Sequence, residues 1–114
     1  MSECLFCKIV ARAIPAAIVF EDEQVLAFED IHPQAPVHVL VIPKRHVPSL
    51  AHEDGKNQAL LGHLLMASAS IARTKGIAER GYRLVANTGS EGGQTVHHLH
   101  LHLLGGRHMT WPPG

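Results

Sequence analysis

The sequence predicts an α+β fold: a five-stranded antiparallel sheet with one short N-terminal helix and one long helix. Three observations carry this. Residues 37–42 are apolar and β-branched apart from His38, the composition of a buried strand. Leu60, Leu61, Leu64, Leu65 and Ile71 recur at helical spacing. The strand candidates at either end of the chain are joined by short loops, which favours antiparallel pairing.

Taken in order, Leu5, Ile9 and Val10 predict a short helix within residues 4–13, stopped before Pro15. Residues 17–20 and 25–29 read as strands around the polar turn Glu21-Asp22-Glu23, a hairpin. Residues 30–36 carry two prolines and no period, so they form a loop. The third strand, residues 37–42, is ended by Pro43. Residues 43–55 are irregular, and Asp54 is a plausible helix cap. The long helix is expected over residues 56–75, with Gly76 where it stops. A fourth strand covers residues 82–86, a loop with three glycines follows over 87–95, and a fifth strand covers 96–104. The tail from Gly105 ends Trp-Pro-Pro-Gly and is irregular.

With 114 residues, the chain is expected to form a single domain, residues 1–114. Only three Phe, one Trp and one Tyr are present, so aliphatic residues must fill the core, and a partner subunit covering apolar surface would help. Lys plus Arg and Asp plus Glu number ten each. Such a balance lacks the broad positive field that binds nucleic acid or anionic membrane, so neither is expected as a partner. No basic segment followed by an apolar run opens the chain, and no stretch approaches the roughly 18 apolar residues of a membrane span, so a cytoplasmic setting is expected.

Ten histidines are the anomaly. His98, His100 and His102 alternate with Leu99, Leu101 and Leu103. In a strand, alternate side chains point to opposite faces, so one face is histidine and the other leucine. The leucines would pack under the long helix. Two residues of strand span roughly 6.6 Å, which sets the outer histidines roughly 13 Å apart. On a straight strand, three rings so spaced do not readily share one metal ion, although two neighbours could. The arrangement suits a central nucleophile or base with helpers on each side. The plain alternative is a solvent-facing strand that happens to use histidine. Upstream, the glycines of Asn87-Thr88-Gly89-Ser90-Glu91-Gly92-Gly93-Gln94-Thr95 let backbone N–H groups approach an anion, although most such loops are simply turns.

The run, followed by Leu103-Leu104, resembles the histidine-triad (HIT) superfamily motif, His-x-His-x-His-x-x with apolar x. Further stretches are similar to its purine nucleoside phosphoramidase branch. These are Asp30-Ile31-His32-Pro33-Gln34-Ala35-Pro36-Val37-His38, Gly92-Gly93-Gln94-Thr95-Val96, Gly105-Gly106-Arg107 and Trp111-Pro112-Pro113-Gly114. The resemblance covers nearly the whole chain. It implies hydrolysis of purine nucleoside 5′-phosphoramidates, conjugates of AMP or GMP with amines, and needs no catalytic cofactor. His100 would attack the α-phosphorus to give a nucleotidyl-histidine that water resolves. His98 and His102 would contact phosphate and orient the nucleophile, with His38 in support. Asn87, Gly93, Gln94 and Thr95 would contact phosphate and leaving group, and Asp30 the ribose hydroxyls. Phe6, Ile9, Ile14, Phe28 and Ile31 would line a purine pocket, although Phe or Ile on such elements is ordinarily plain core. His97 replaces the Tyr or Phe common in relatives and should face away from the triad.

Each role makes chemical sense. Neutral imidazole is a competent nucleophile at pH 7, fixed N–H donors stabilise charge on phosphorus oxygens, and a carboxylate accepts from two vicinal hydroxyls. Cys4-Leu5-Phe6-Cys7 has metal-ligand spacing. The resemblance supplies a precedent for a structural zinc site completed by His46 and His98. The alternative is two reduced, partly buried cysteines. The family also implies a homodimer whose sheets continue into one, with Trp111 reaching the partner's site; otherwise that segment is a frayed tail. Rival functions are dinucleoside polyphosphate hydrolysis or nucleotidyl transfer, a non-catalytic nucleotide-binding scaffold, and a zinc-dependent hydrolase.

Overall fold

The computed structural model describes residues 3–52 and 55–114. Helix α1 (Leu5–Val10) precedes strands β1 (Ile18–Glu21), β2 (Val25–Glu29) and β3 (Val37–Pro43). A short 3-10 turn (Leu50–His52), the long helix α2 (Gln58–Thr74), and strands β4 (Tyr82–Val85) and β5 (Leu101–Gly105) complete the order. The five strands form one antiparallel sheet in the order β1-β2-β3-β5-β4. That is the fold class the sequence predicts. The expected cap at Asp54 lies outside the described residues; Asn57 occupies the cap position and makes no capping bond through its side chain.

Period-two alternation sorts the sheet's side chains into two cores. On one face Val25, Ala27, Val39, Val41, Leu99, Leu101 and Leu103 pack against Leu64, Ala67 and Ile71 of α2. The triad leucines thus lie under the long helix, as expected. On the other face Leu26, Phe28, Leu40 and Ile42 pack against Phe6 and Ile9 of α1. The central strands are covered on both sides, which is why β2 and β3 read as nearly continuous apolar runs.

Cys4 caps α1, its Sγ accepting the Cys7 N–H at 3.3 Å. At the other end of the chain's main helix, Gly76 takes φ 77° and Ile77 N–H turns back to the Ala72 carbonyl. Beyond them the chain enters β4.

One expected element is corrected. The fifth strand does not begin at residue 96 but at Leu101. The β3–β5 register pairs Val41 with Leu101 and, continued, would set Ile42 opposite His100 and then Pro43 opposite Leu99. Proline has no N–H to continue the ladder. Leu99 instead gives its N–H to the Val47 carbonyl at 2.7 Å, and residues 96–98 bend. Only His102 of the three histidines lies on a strand.

Leu103 is fully buried in the middle strand pair. Leu103→Ala should lower unfolding free energy by about 2–5 kcal/mol, the range for such cavities. Urea titration measures it; a loss under about 1 kcal/mol would contradict this account of the core.

Candidate active site and metal centre

The bend aims the histidines differently. His98 turns fully inward, with no exposed surface. Its Nε2–H donates to the Pro43 carbonyl at 2.8 Å. The proline that stops the ladder therefore supplies the acceptor that orients this ring. Nδ1 is left with its lone pair, facing Cys4 Sγ at 3.3 Å, His46 Nδ1 at 3.2 Å and Cys7 Sγ at 3.6 Å. Cys7 Sγ and His46 Nδ1 are 3.3 Å apart. Metal–ligand bonds of about 2.0–2.3 Å imply ligand separations of roughly 3.3–3.8 Å in a tetrahedron. Four of the separations lie between 3.2 and 3.6 Å, and all fall within 4.8 Å. Burial first, and then the neighbouring Cys4 thiol, push the Cys7 pKa up. A bound cation would offset that cost of ionising the Cys7 thiol. The Cys₂His₂ set anticipated from the sequence is therefore assembled, and it fits a tetrahedral ion.

His100 is also buried. Its Nδ1–H donates to the His98 carbonyl at 2.7 Å, so the lone pair resides on Nε2. The His102 ring stands 5.0 Å away, centroid to centroid.

His102 and His38, on the adjacent strands β5 and β3, form the third unit. The Gln34 backbone N–H donates to His38 Nδ1 at 3.0 Å. His38 must then carry its proton on Nε2, which lies 2.9 Å from His102 Nδ1. His102 in turn carries its proton on Nε2. Asp30 Oδ2 lies 3.4 Å from His38 Nε2, while Oδ1 accepts the His32 N–H. Burial, then the neighbouring His100 and His38, depress the His102 pKa to about 4. Burial lowers His38 too, against the pull of Asp30. Both rings are neutral at pH 7.

Asp30, His38 and His102 also place three donor atoms within 4.8 Å of one another. Their surroundings argue against a metal there. A ligating histidine donates its other ring N–H to an acceptor. His98 does so, to Pro43. His38 instead accepts from a backbone N–H, which holds the proton on the nitrogen that would have to bind the ion. One cluster is arranged for a cation and the other for an ordered proton.

Other anticipated residues fall in varied places. Asn87 is half-buried, two residues past β4. Gly93 takes φ 81°. The Gln94 side chain is committed to backbone groups: Nε2 donates to the Pro48 and Val96 carbonyls, and Oε1 accepts the Gly89 N–H. Thr95 and His97 are exposed on a cavity shared with Cys4, Leu5 and His46. Phe6, Ile9 and Phe28 are core residues, while Ile9 and Ile14 border a cavity with Arg12 and Ile18. Ile31 is 85% exposed and Trp111 82%, the latter with the Arg83 guanidinium over its ring at 6.0 Å. His98 has no exposed surface, donates through Nε2 to the Pro43 carbonyl and turns Nδ1 towards Cys4, Cys7 and His46.

The sequence reading missed three groups that set this geometry: the Pro43 carbonyl, the Gln34 N–H and the edge of Phe6 against His100. The first two are backbone atoms and carry no side-chain signal. A proline closing a strand beside a histidine run was the available hint.

The chain belongs to the HIT domain family, whose domain it matches over residues 11–109. It is 58% identical to an uncharacterised HIT-like protein of Synechococcus elongatus, over all of both chains. The crystal structure of a HIT family hydrolase from Legionella pneumophila superposes with a TM-score of 0.97 at 54% identity, covering 98% of this chain and 100% of that one. A histidine triad nucleotide-binding protein from Candida albicans gives 0.83 at 30% identity, over 96% and 83%.

Lowered histidine pKa values have a consequence for stability. A ring whose folded pKa lies below the ordinary 6.5 binds protons better when the chain is unfolded. The stability from neutral His38 and His102 is complete above pH 6.5 and drains away as pH falls towards 4. His102→Gln should flatten that slope by up to about 1.4 kcal/mol per pH unit. Denaturation at pH 7.5, 6, 5 and 4 checks it, and parallel curves for variant and wild type would refute it.

Proposed function

We propose that this protein hydrolyses purine nucleoside 5′-phosphoramidates through a nucleotidyl intermediate on His100. The observation that carries the reading is the proton order around that ring. The His98 carbonyl takes the Nδ1–H, which leaves Nε2 as a neutral nucleophile. A neutral imidazole keeps its lone pair at pH 7 without a separate base. His102 Nε2–H stands beside it as a donor to the negative charge that grows on the phosphoryl oxygens. The His38 Nε2–H and the Gln34 N–H behind it keep His102 in that tautomer.

In the reaction, Nε2 bonds to the α-phosphorus as the phosphorus–nitrogen bond breaks, and the amine leaves with a proton taken up from solvent. Water then attacks the same phosphorus and gives up a proton to solvent. The His100–phosphorus bond breaks and the nucleoside monophosphate departs. Asp30 would accept hydrogen bonds from the ribose hydroxyls, with Ile9, Ile14 and Ile31 as the wall nearest the base. Asn87, Gly93 and Thr95 would meet the phosphate and leaving group. The names of the Legionella hydrolase and the Candida nucleotide-binding protein support this reading.

Zinc is the ion best suited to Cys4, Cys7, His46 and His98, since four nitrogen and sulfur donors in a tetrahedron make a closed structural site. It would tie α1 to the end of β3 and take no part in the chemistry. A reducing, cytoplasmic setting belongs to the same reading, because it keeps thiols available as ligands. Among the described residues no helix is long and apolar enough to cross a membrane. A homodimer fits as well. Strand β4 is an edge of the sheet, and α2 exposes Leu65 and Met66. The exposed Trp111 would then contribute to the neighbouring subunit's site.

His100→Ala should abolish turnover of an adenosine phosphoramidate, a fall of at least about 10⁴-fold as for loss of a nucleophile, while AMP still binds. Acid-free trapping followed by mass spectrometry should find the nucleotidyl group on His100 of the wild type. Turnover by the alanine variant, or a label elsewhere, would refute the mechanism. Purified protein should hold one zinc per chain. Cys4→Ser should lose it, and chelator should not stop the chemistry directly. Stoichiometry near zero in metal analysis would leave the four ligands as an empty cluster of thiols and imidazoles.

A further inference from the structure

Helix α1 is anchored by its apolar side: Phe6 and Ile9 are buried in one core with Leu26, Phe28, Leu40 and Ile42. Packing therefore holds the turn from Cys4 to Cys7 in place whatever the sulfur atoms do. Both cysteines are free thiols, each half-buried. The Cys7 N–H rests on Cys4 Sγ at 3.3 Å, and the two sulfur atoms lie within 4.8 Å of one another. Cys4 also borders an open cavity of about 440 Å³, together with Glu3, Leu5, His46 and Thr95. A small solute reaches the sulfur from there.

Residues three apart on one helical turn have Cα atoms about 5 Å apart. A disulfide accepts a Cα spacing of about 4.4–6.8 Å. Rotation of the two side chains about their Cα–Cβ bonds then closes the sulfur atoms to a bond of roughly 2.05 Å with no shift of the helix. An accessible thiol beside a second, resolving thiol is the arrangement of a redox-sensitive pair. The phosphoryl chemistry proposed above makes no use of either sulfur.

We propose that Cys4 and Cys7 form a reversible disulfide, so that their cluster with His46 and His98 binds zinc when reduced and releases it when oxidised. The proposal rests on the reading of that cluster as a zinc site. The oxidant is a peroxide. Cys4 Sγ attacks one peroxide oxygen, the O–O bond breaks, and the departing hydroxide is protonated to water. Cys4 is then a sulfenic acid. Cys7 Sγ attacks the Cys4 sulfur, the S–O bond breaks, and a second hydroxide leaves as water. Two thiols are oxidised and one peroxide is reduced to two waters, the protons coming from the thiols or, for zinc-bound thiolates, from solvent. A small dithiol reverses the step by exchange.

Loss of both sulfur donors leaves the ion with His46 and His98 alone. A closed structural zinc site takes four protein ligands, and His46 is exposed to competing water. The His98 ring keeps its bond to the Pro43 carbonyl, and the His98 carbonyl keeps the His100 proton. Oxidation thus empties the ion site and leaves the proton order of the triad as it was.

The test treats full-length, reduced, zinc-loaded protein with hydrogen peroxide and then with dithiothreitol. Three quantities are followed: zinc freed to a colorimetric chelator, thiols per chain, and the mass of tryptic peptide 1–8, which contains both cysteines. The expected result is loss of both thiols in step with one zinc per chain, and a peptide lighter by two hydrogens. Dithiothreitol should restore the thiols and the zinc binding. Oxygen added to a cysteine in place of the cross-link, a disulfide between chains, or a Cys4–Cys7 disulfide with zinc retained would each overturn the proposal. So would thiols that survive peroxide sufficient to oxidise free cysteine in the same solution. Protein stripped of zinc by chelator is treated alongside. If the reduced protein holds no zinc, the zinc reading and the release step fail together, while peptide 1–8 of the stripped protein still decides whether the thiols pair.

Discussion

The termination of the β3–β5 ladder at Pro43 is the constraint on which the site depends. A proline at that position cannot donate to the neighbouring strand, and pairing ends at Val41 and Leu101. The chain before Leu101 is then free to bend. It does so with Leu99 held by Val47 and His98 held by the Pro43 carbonyl. With the bend, one backbone segment joins two different chemistries: the His98 ring faces the thiols and the His98 carbonyl faces the His100 ring.

Protons in this site are ordered by main-chain groups rather than by charged side chains. Gln34 N–H, Pro43 C=O and His98 C=O between them settle the tautomers of four imidazoles. Main-chain atoms anchored by a sheet move little, so the lone pair on His100 Nε2 and the N–H on His102 Nε2 are set before any ligand arrives. Such preorganisation spares a reorganisation cost at the moment of reaction. Burial completes the arrangement by favouring the neutral form of His38, His98 and His102, since the interior penalises the charged form.

The two clusters of metal-ligating residues make an instructive pair. Both bring donor atoms within reach of a single ion. They differ in what stands behind the imidazoles. A carbonyl behind His98 frees its inner nitrogen for a metal, whereas an amide N–H behind His38 keeps a proton on the inner nitrogen. Ligand type and spacing alone would not have separated them.

Much of this protein was legible in its amino-acid order. Alternation of histidine with leucine determined which side chains enter the core under α2, because strand geometry forces opposite faces. Helical spacing determined α2, and β-branched runs determined the central strands. The Cys4-x-x-Cys7 pair, read alongside the resemblance, named four residues whose donor atoms the fold brings within 4.8 Å of one another. What only the tertiary structure decided is the aim of each ring. The length of β5 depended on a missing N–H across the sheet. The burial of His98, the bond from Gln94 to the Pro48 carbonyl and the lodging of Phe6 against His100 depended on partners 40 to 95 residues away. Side-chain periodicity reports which face a residue occupies; it cannot report which carbonyl or amide will meet it there, because those groups are the same in every residue and are selected only when the chain has folded.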